Sequence, residues 1–446
     1  MSTEQRVAHP RLLTTGATAA LAGTVVLVAA ACGTTTSSTP EATGDPVDAW
    51  TSGITDSEVR IGFEYFGEGN GRATDEPDLA SNPTAAYVEA LVAHINDDGG
   101  IGGREIVPVW HRIQRDATSA DVEEQALCTD FTQDRPVFLA AAGDTDITRR
   151  CFAAEGVPHV VTTASAPAST FDDDSYLVSA PTLNLTRLMR TQVEVLAGHG
   201  FFQPDATIGF FSFDAPEYVD ARDHGLEPAL EEAGLTIAEE ALITRPEKPE
   251  DVADTLAQVA GAVLKFRDAG VDHVIFLGGS PQFMIDAQKQ GYRPRYAISS
   301  WDYPASLHES GVPVEQLSGA AGAGYSPARD VADREAAMQP PARQECLDIL
   351  AAQNLHPETA ADEADMLSRC DQLFLIKAAL EAAEEPASGH AFMEGISGLG
   401  DSFSSASTWD TRYDEAHRDG VASVMYLEFA DACECFRYAG DAISVE

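Results

Sequence analysis

One stretch, residues 84–111, constrains the fold more than any other part of the chain: TAAYVEALVAHINDDGGIGGREIVPVWH. Apolar residues recur at helical spacing over residues 86–95, which predicts a helix with one buried stripe. Gly99 and Gly100 follow, and glycine readily takes the left-handed backbone conformation in which many helices end. The apolar run at residues 106–109 then predicts a strand. A helix that returns at once into a strand is typical of helices laid on a parallel sheet.

The first 31 residues predict an export signal. Arg6 and Arg11 accompany an uncharged apolar stretch at residues 12–31, and three alanines at residues 29–31 stand directly before Cys32. Small residues before a cysteine suit a lipoprotein signal peptidase, whose cleavage would leave Cys32 as the lipidated first residue. Two alternatives stay open. One is an uncleaved membrane helix, since about 20 residues can span a bilayer, and the other is plain secretion with an unmodified cysteine.

Composition separates a tether from a folded body. Residues 32–56 are rich in Thr, Ser, Pro and Ala without periodicity, which predicts a disordered tether. About 390 residues follow, enough for two domains with their own cores.

The formal net charge of −44 argues against nucleic acid or anionic lipid as a partner, because phosphates would be repelled. A membrane is therefore expected to be reached through the lipid anchor only.

The body alternates between strand and helix patterns twice, first over residues 58–180 and again over residues 185–299. Such alternation is typical of parallel sheets covered by helices on both faces. A crossing strand is predicted between the two units, at residues 171–181. The later part of the chain predicts helices at residues 343–353, 365–384 and 392–399, a crossing loop at 409–417 and a strand at 421–429. Two such lobes imply a cleft between them.

The opening stretch also resembles a known family. Residues 95–106, INDDGGIGGREI, are similar to the INxxGGIxGRxI signature near the start of type 1 periplasmic substrate-binding proteins, the leucine/isoleucine/valine-binding family of ABC importers. The resemblance covers about residues 57–440. It implies an α/β fold of two doubly wound parallel-sheet lobes joined by a three-strand hinge. Lobe I is then expected at residues 57–180 plus about 327–404, and lobe II at residues 181–326 plus about 405–446.

Ligand-binding side chains are expected just past the carboxyl ends of the strands, where open parallel sheets bind their ligands. The candidates are Phe66, Thr145, Thr163, Ser165, Tyr218, Ser280 and Asp302. The resemblance implies that Thr145 and Thr163 hold a ligand carboxylate, while Tyr218 and Asp302 hold the ligand from the second lobe.

Two departures from the family pattern leave the ligand open. Asp144 and Asp146 flank Thr145, which is unfavourable for a carboxylate, and Ser280 stands where the branched-chain binders carry an aromatic residue. The ligand is therefore an amino acid, an amide or a cationic compound. Structural roles stay open as well, since a loop threonine often caps a helix, Tyr218 can belong to the core and Asp302 can cap a turn.

The seven cysteines, less Cys32, leave six, and export permits disulfides. Cys128 and Cys151 flank one predicted strand and are expected to pair, as are Cys346 and Cys370 on two predicted helices. Cys433 and Cys435 form a tight bridge, stay reduced or, least favoured, bind metal. No metal site and no cofactor is expected.

The function predicted from these features is that of a monomeric, lipid-anchored solute receptor on the outer face of the cell membrane. It would bind a small polar ligand in the cleft and dock on an ABC permease. A sensory receptor of the same fold is the first alternative. An exported enzyme is the second, and it is disfavoured because no Gly-x-Ser-x-Gly or His-Glu-x-x-His motif is present.

Overall fold

The structure is a computed structural model that describes residues 50–67, 72–114, 120–163, 165–246, 251–334, 337–384 and 387–445. All of these residues belong to one compact unit, Pro46–Glu446. The expected export signal, Cys32 and most of the expected tether lie outside the described residues.

The described residues form fourteen strands and fourteen α-helices. The strands are β1 (Glu58–Phe66), β2 (Glu105–Ile113), β3 (Leu139–Ala141), β4 (His159–Val161), β5 (Leu177–Ser179), β6 (Ile208–Phe213), β7 (Ile237–Ile243), β8 (His273–Leu277), β9 (Arg295–Ser299), β10 (Ala321–Gly324), β11 (Thr411–Arg412), β12 (Gly420–Val421), β13 (Ser423–Ala430) and β14 (Cys435–Ser444). The helices are α1 (Pro83–Asp97), α2 (Ala120–Thr129), α3 (Asp146–Glu155), α4 (Ala168–Asp173), α5 (Leu185–Gly198), α6 (Pro216–Ala221), α7 (Glu227–Glu232), α8 (Val252–Ala269), α9 (Ser280–Lys289), α10 (Val314–Leu317), α11 (Pro327–Asp330), α12 (Arg343–Ala351), α13 (Ala360–Ala382) and α14 (Gly389–Gly398).

Two large sheets organise two lobes, as the sequence predicts. The first sheet has the order β2-β1-β3-β4-β5, and all its pairs are parallel. The second has the order β14-β13-β10-β9-β8-β6-β7. Here β13 runs antiparallel to both β10 and β14, so the second sheet is mixed rather than purely parallel. The chain passes between the sheets three times, because α12–α14 pack into the core of the first lobe before β13 returns to the second sheet.

Local hydrogen bonds join the end of α1 to the start of β2. The Asn96 side chain donates to the carbonyl of Ile106 at 2.9 Å and accepts from its backbone N–H at 2.8 Å, as a neighbouring strand would. Gly100 has a φ of +75°, and its N–H donates to the carbonyl of Ile95. A Cβ atom at Gly100 would lie 2.0 Å from the carbonyl oxygen of Arg104. The glycine is therefore required both by conformation and by space.

Several predicted elements differ in detail. The strand predicted at residues 171–181 is wrong at its start, because Pro167 opens the short helix α4 and β5 begins only at Leu177. Two helical segments of the alternating units include a π-helical turn: Asp130–Asp134 follows α2, and Arg222–Leu226 joins α6 to α7.

Two strands of the second sheet were not predicted. One is β10, whose sequence is Ala-Gly-Ala-Gly and carries no strand periodicity. The other is β14, which alternates only weakly.

Three disulfides are present among the described residues. Cys128 is bonded to Cys151 and Cys346 to Cys370, the two pairs expected from the sequence. Cys433 is bonded to Cys435 in the turn between β13 and β14. The sequence left that third pair open.

The segments in which the chain passes between the two sheets are hydrogen-bonded to one another. The first crossing lies between β5 and α5, the second follows β10 and the third precedes β12. The backbone N–H groups of Ser179 and Thr182, in the first crossing, donate to the carbonyls of Arg418 and Asp419 in the third. The hydroxyls of Thr182 and Tyr325 lie 3.1 Å apart and join the first crossing to the second. These bonds hold the two lobes at the hinge.

We expect Gly100→Ala to destabilise the fold far more than Gly99→Ala. Both glycines have positive φ values, of +75° and +102°, but a Cβ atom at Gly99 meets no atom within 4 Å. Gly99→Ala should therefore cost about 1–2 kcal/mol of conformational strain, and Gly100→Ala about 1–3 kcal/mol more because of the clash. Urea unfolding measures both, and equal losses would contradict the packing argument.

Candidate functional site

Three strands of the first lobe end around a cavity of about 190 Å³. They are β1, β3 and β4, and the N-terminus of α1 and the middle of α13 complete the wall. The lining residues are Glu64, Tyr65, Phe66, Asn82, Thr84, Ala141, Ala142, Gly143, Asp144, Val161, Thr162, Thr163, Arg369 and Gln372. The position follows from the parallel topology, which gathers the carboxyl ends of the strands at one edge.

Two carboxylates lie in this wall. Asp144 accepts hydrogen bonds from Arg149 Nη1 at 2.8 Å and from the backbone N–H of Ser165 at 3.0 Å. In the described part of the chain, Glu64 has one hydrogen bond, from the backbone N–H of Gly143 at 3.4 Å, and no ion pair. Burial raises the pKa of both carboxyls, because a charge is costly where water is excluded.

Three side-chain donors of the wall are already used within the chain, whereas Nε of Arg369 is buried with no hydrogen-bond partner among the described residues. Asn82 donates to the carbonyl of Phe66 at 3.3 Å, and Thr84 to the carboxylate of Asp365 at 2.7 Å. The Gln372 amide donates to the carbonyl of Val160 at 2.6 Å. Arg369, in turn, donates to the Gln372 side-chain oxygen at 3.2 Å and pairs with Asp365 at 3.5 Å.

A second cavity, of about 470 Å³, lies past the ends of β8 and β9 in the other lobe. Its lining residues are Gly278, Gly279, Ser280, Pro281, Trp301, Asp302, Tyr303, Ser306 and Ser310, with Ala361 from the start of α13. Oδ2 of Asp302 accepts from the backbone N–H of Ser299 at 2.9 Å and from its hydroxyl at 3.2 Å, which caps a short 3₁₀ turn. Burial raises the pKa of the Asp302 carboxyl to about 6.

Tyr218 lies beside the second cavity. It is 5% exposed and packs edge-on against Phe213, beside the Gly278 backbone of the second cavity. Burial raises the pKa of its phenol most, while Arg245 lowers this pKa and Glu217 and Asp144 raise it. Nearby, the Ser169 hydroxyl of α4 donates to Asp220 of α6 at 3.1 Å.

The structure brings together some of the predicted ligand-binding residues. Phe66 and Thr163 line the first cavity, and Ser280 and Asp302 line the second. Phe66 is 50% exposed at the end of its strand. Tyr218 is part of the core of the second lobe.

Two predicted residues have other roles. Thr145 lies outside the first cavity, because its side chain caps α3: it accepts from the backbone N–H of Thr148 at 3.3 Å and donates to the Glu124 carboxylate. Its expected role as a carboxylate ligand is not supported. Ser165 contributes its backbone N–H to Asp144 instead of lining the cavity.

Comparison with known proteins identifies the family. A sequence model of the family described as periplasmic binding protein matches residues 77–428. The chain belongs to the periplasmic binding protein family. No curated protein matches the sequence.

Solved structures of this kind share the fold. A solute-binding protein of an ABC transporter from R. palustris, in complex with 4-hydroxybenzoate, has a TM-score of 0.63 at 14% identity over 87% of this chain and 98% of that one. A substrate-binding protein from Desulfitobacterium hafniense with leucine has a TM-score of 0.58 at 16% identity, covering 86% and 100%. A branched-chain amino acid binding protein from Streptococcus pneumoniae with isoleucine has a TM-score of 0.57 at 14% identity, covering 87% and 99%.

Besides Asn82 and Thr84, sequence reasoning missed three polar residues of the first cavity in this binding protein. Glu64 is one, and its signal was a charge near the end of an otherwise buried strand. Arg369 and Gln372 are the others. They come from α13, a helix that the family resemblance assigns to the first lobe without placing it beside β1 and β4. Within the described ranges, no group of three or more His, Cys, Asp or Glu is arranged to hold a metal ion. In the same ranges, no helix has the length and apolarity that crossing a membrane requires.

We expect the stability of the protein to respond to pH through Asp302. A carboxyl whose pKa rises from 3.8 to about 6 on folding stabilises the fold below pH 3.8, and this contribution is lost as the pH rises through about 6. Asp302→Asn mimics the protonated form. Relative to wild type, the variant should therefore gain about 1–3 kcal/mol between about pH 4 and about pH 7.5.

Urea unfolding at both pH values measures this difference. Asp401→Asn, at an exposed position, controls for the loss of one acidic group. A difference between Asp302→Asn and wild type that does not change with pH would contradict the raised pKa of Asp302.

Proposed function

We propose that this protein is an extracytoplasmic solute-binding lipoprotein that delivers a small polar ligand, an amino acid or a related compound, to an ABC importer. The observation that carries the proposal is the pair of polar cavities at the carboxyl edges of the two sheets. Structural neighbours with the same fold are in complex with leucine, isoleucine and 4-hydroxybenzoate.

The proposed mechanism is binding without chemistry. A ligand enters the first cavity, and the second lobe then closes over it by a hinge motion about the three crossings. This motion brings Tyr218, Ser280 and Asp302 towards the ligand. We place the lobes at residues 57–180 with about 327–404, and at residues 181–326 with about 405–446. The closed monomer would then dock on permease subunits.

A ligand held only by the folded protein raises its stability by mass action, by about 2.7 kcal/mol at a hundredfold excess over the dissociation constant. We therefore expect the melting temperature of the purified protein to rise with a member of a panel of amino acids, amides, polyamines and organic acids. Thr163→Phe, which fills the first cavity, should abolish the rise.

Thr244→Phe, at an exposed position outside both cavities, is the matched control and should leave the rise intact. A rise that survives Thr163→Phe would place the ligand elsewhere. If no panel member changes the melting temperature, the proposal fails.

The lipid anchor makes a separate prediction about Cys32, which stands after three alanines. Cys32→Ser should remove the thiol that carries the lipid, so the protein should move from the membrane fraction to the soluble fraction and lose labelling by a fatty-acid analogue. Unchanged labelling of the variant would contradict the assignment of Cys32 as the lipidated residue, and a wild-type protein that takes up no label would favour an uncleaved helix or plain secretion.

A further inference from the structure

The geometry points to a small organic amine as the ligand class, with its ammonium group held by the carboxylates of Glu64 and Asp144 in the first cavity. This inference rests on the proposed function, and it concerns the charge of the ligand rather than the existence of a ligand.

The first argument is the balance of donors and acceptors in the wall. The side chains of Asn82, Thr84 and Gln372 each donate a hydrogen bond to another group of the protein. The two carboxylates, by contrast, offer about eight lone pairs and receive hydrogen bonds from three residues, Gly143, Arg149 and Ser165. Nε of Arg369 is a buried donor without a hydrogen-bond partner among the described residues, but it lies 3.5 Å from the Asp365 carboxylate. Most of the spare capacity is therefore on the acceptor side, and a donor ligand would use it. An ammonium group has three N–H donors and no acceptor.

The second argument is that the groups suited to a ligand carboxylate are occupied by the protein itself. The backbone N–H of Ser165 and the guanidinium of Arg149 both bond the Asp144 carboxylate. The backbone N–H of Gly143 bonds Glu64. The Asp144 side chain therefore sits where an anionic ligand would need these donors.

The third argument is charge. Glu64, Asp144 and Asp365 face two guanidinium groups, those of Arg149 and Arg369. Arg149 pairs with Asp144 and Arg369 with Asp365, which leaves Glu64 as the carboxylate without an ion pair among the described residues. One positive charge from the ligand would balance the set. A buried carboxylate gains most from such a partner, since leaving it unpaired is costly.

Burial also raises the pKa of Glu64 and Asp144, because it removes water from around each charge, although Arg369 and Arg149 act in the opposite direction. Glu64 is flanked by Arg369 of α13, His111 of β2 and Asp144 of the β3–α3 loop. Glu124 of α2 adds a further negative charge in the neighbourhood and hydrogen bonds Thr145. An ammonium group would stabilise the ionised form of these acids.

The test uses matched probes that differ only in charge. Butylamine, putrescine, agmatine and leucinamide are each compared with an uncharged or anionic counterpart of the same carbon skeleton, by thermal shift and by titration calorimetry on the purified protein. We expect at least one amine to bind and its counterpart not to bind.

Substitution then locates the contact. Glu64→Gln should weaken binding of that amine by about tenfold to a hundredfold, because a hydrogen bond to a charged group is lost. Glu64→Asp keeps the charge and should retain more affinity than Glu64→Gln. Glu58→Gln, an exposed glutamate at the opposite end of the same strand, should leave affinity unchanged.

The outcomes separate this inference from the proposed function. If amino acids or organic acids bind while no amine does, the amine class is overturned and the receptor function stands. If an amine binds equally well to Glu64→Gln, the assignment of Glu64 is overturned. If neither these probes nor the wider panel binds, the proposed function fails, and the amine inference fails with it.

Discussion

The arrangement of the two lobes depends on one buried carboxylate, that of Asp419. It accepts from the backbone N–H of Asn184 at 2.8 Å and from its side chain at 3.0 Å, and it pairs with Arg187. The side-chain oxygen of Asn184 caps α5 by accepting from the backbone N–H of Arg187. A single residue of the third crossing thus fixes the start of the first helix of the second lobe.

Parallel topology concentrates acids at those edges. The formal charge of −44 is spread along the chain and is mostly a solubility feature. Glu64, Asp144 and Asp302 are different, because each lies at a cavity wall and burial raises the pKa of each. The ionised forms of these carboxyls destabilise the fold when no ligand is bound. A bound ligand that pairs with them would offset this loss of stability, as is typical of a ligand-binding site.

Much of the fold is predictable from local patterns, and much of the site is not. The α1–β2 unit follows from helical periodicity and glycine chemistry, and β8 and β9 from short apolar runs. In contrast, β10 is a strand only because the flanking strands β9 and β13 pair with it.

At the site, the rule for carboxyl edges placed Phe66 and Thr163 at the first cavity. The rule does not predict that Thr145 caps a helix, because a helix cap and a ligand contact both require a free threonine hydroxyl in a loop. Arg369 reaches the cavity from α13, far along the chain from β1, and no local pattern encodes that contact.

The position of β13, residues Ser423–Ala430, between β14 and β10 also governs the order in which the lobes can fold during synthesis. Until β13 has been synthesised, one edge of β10 has no partner strand. The core of the first lobe likewise lacks α13 until that helix has been synthesised. Neither lobe can therefore finish folding before the other has begun to fold.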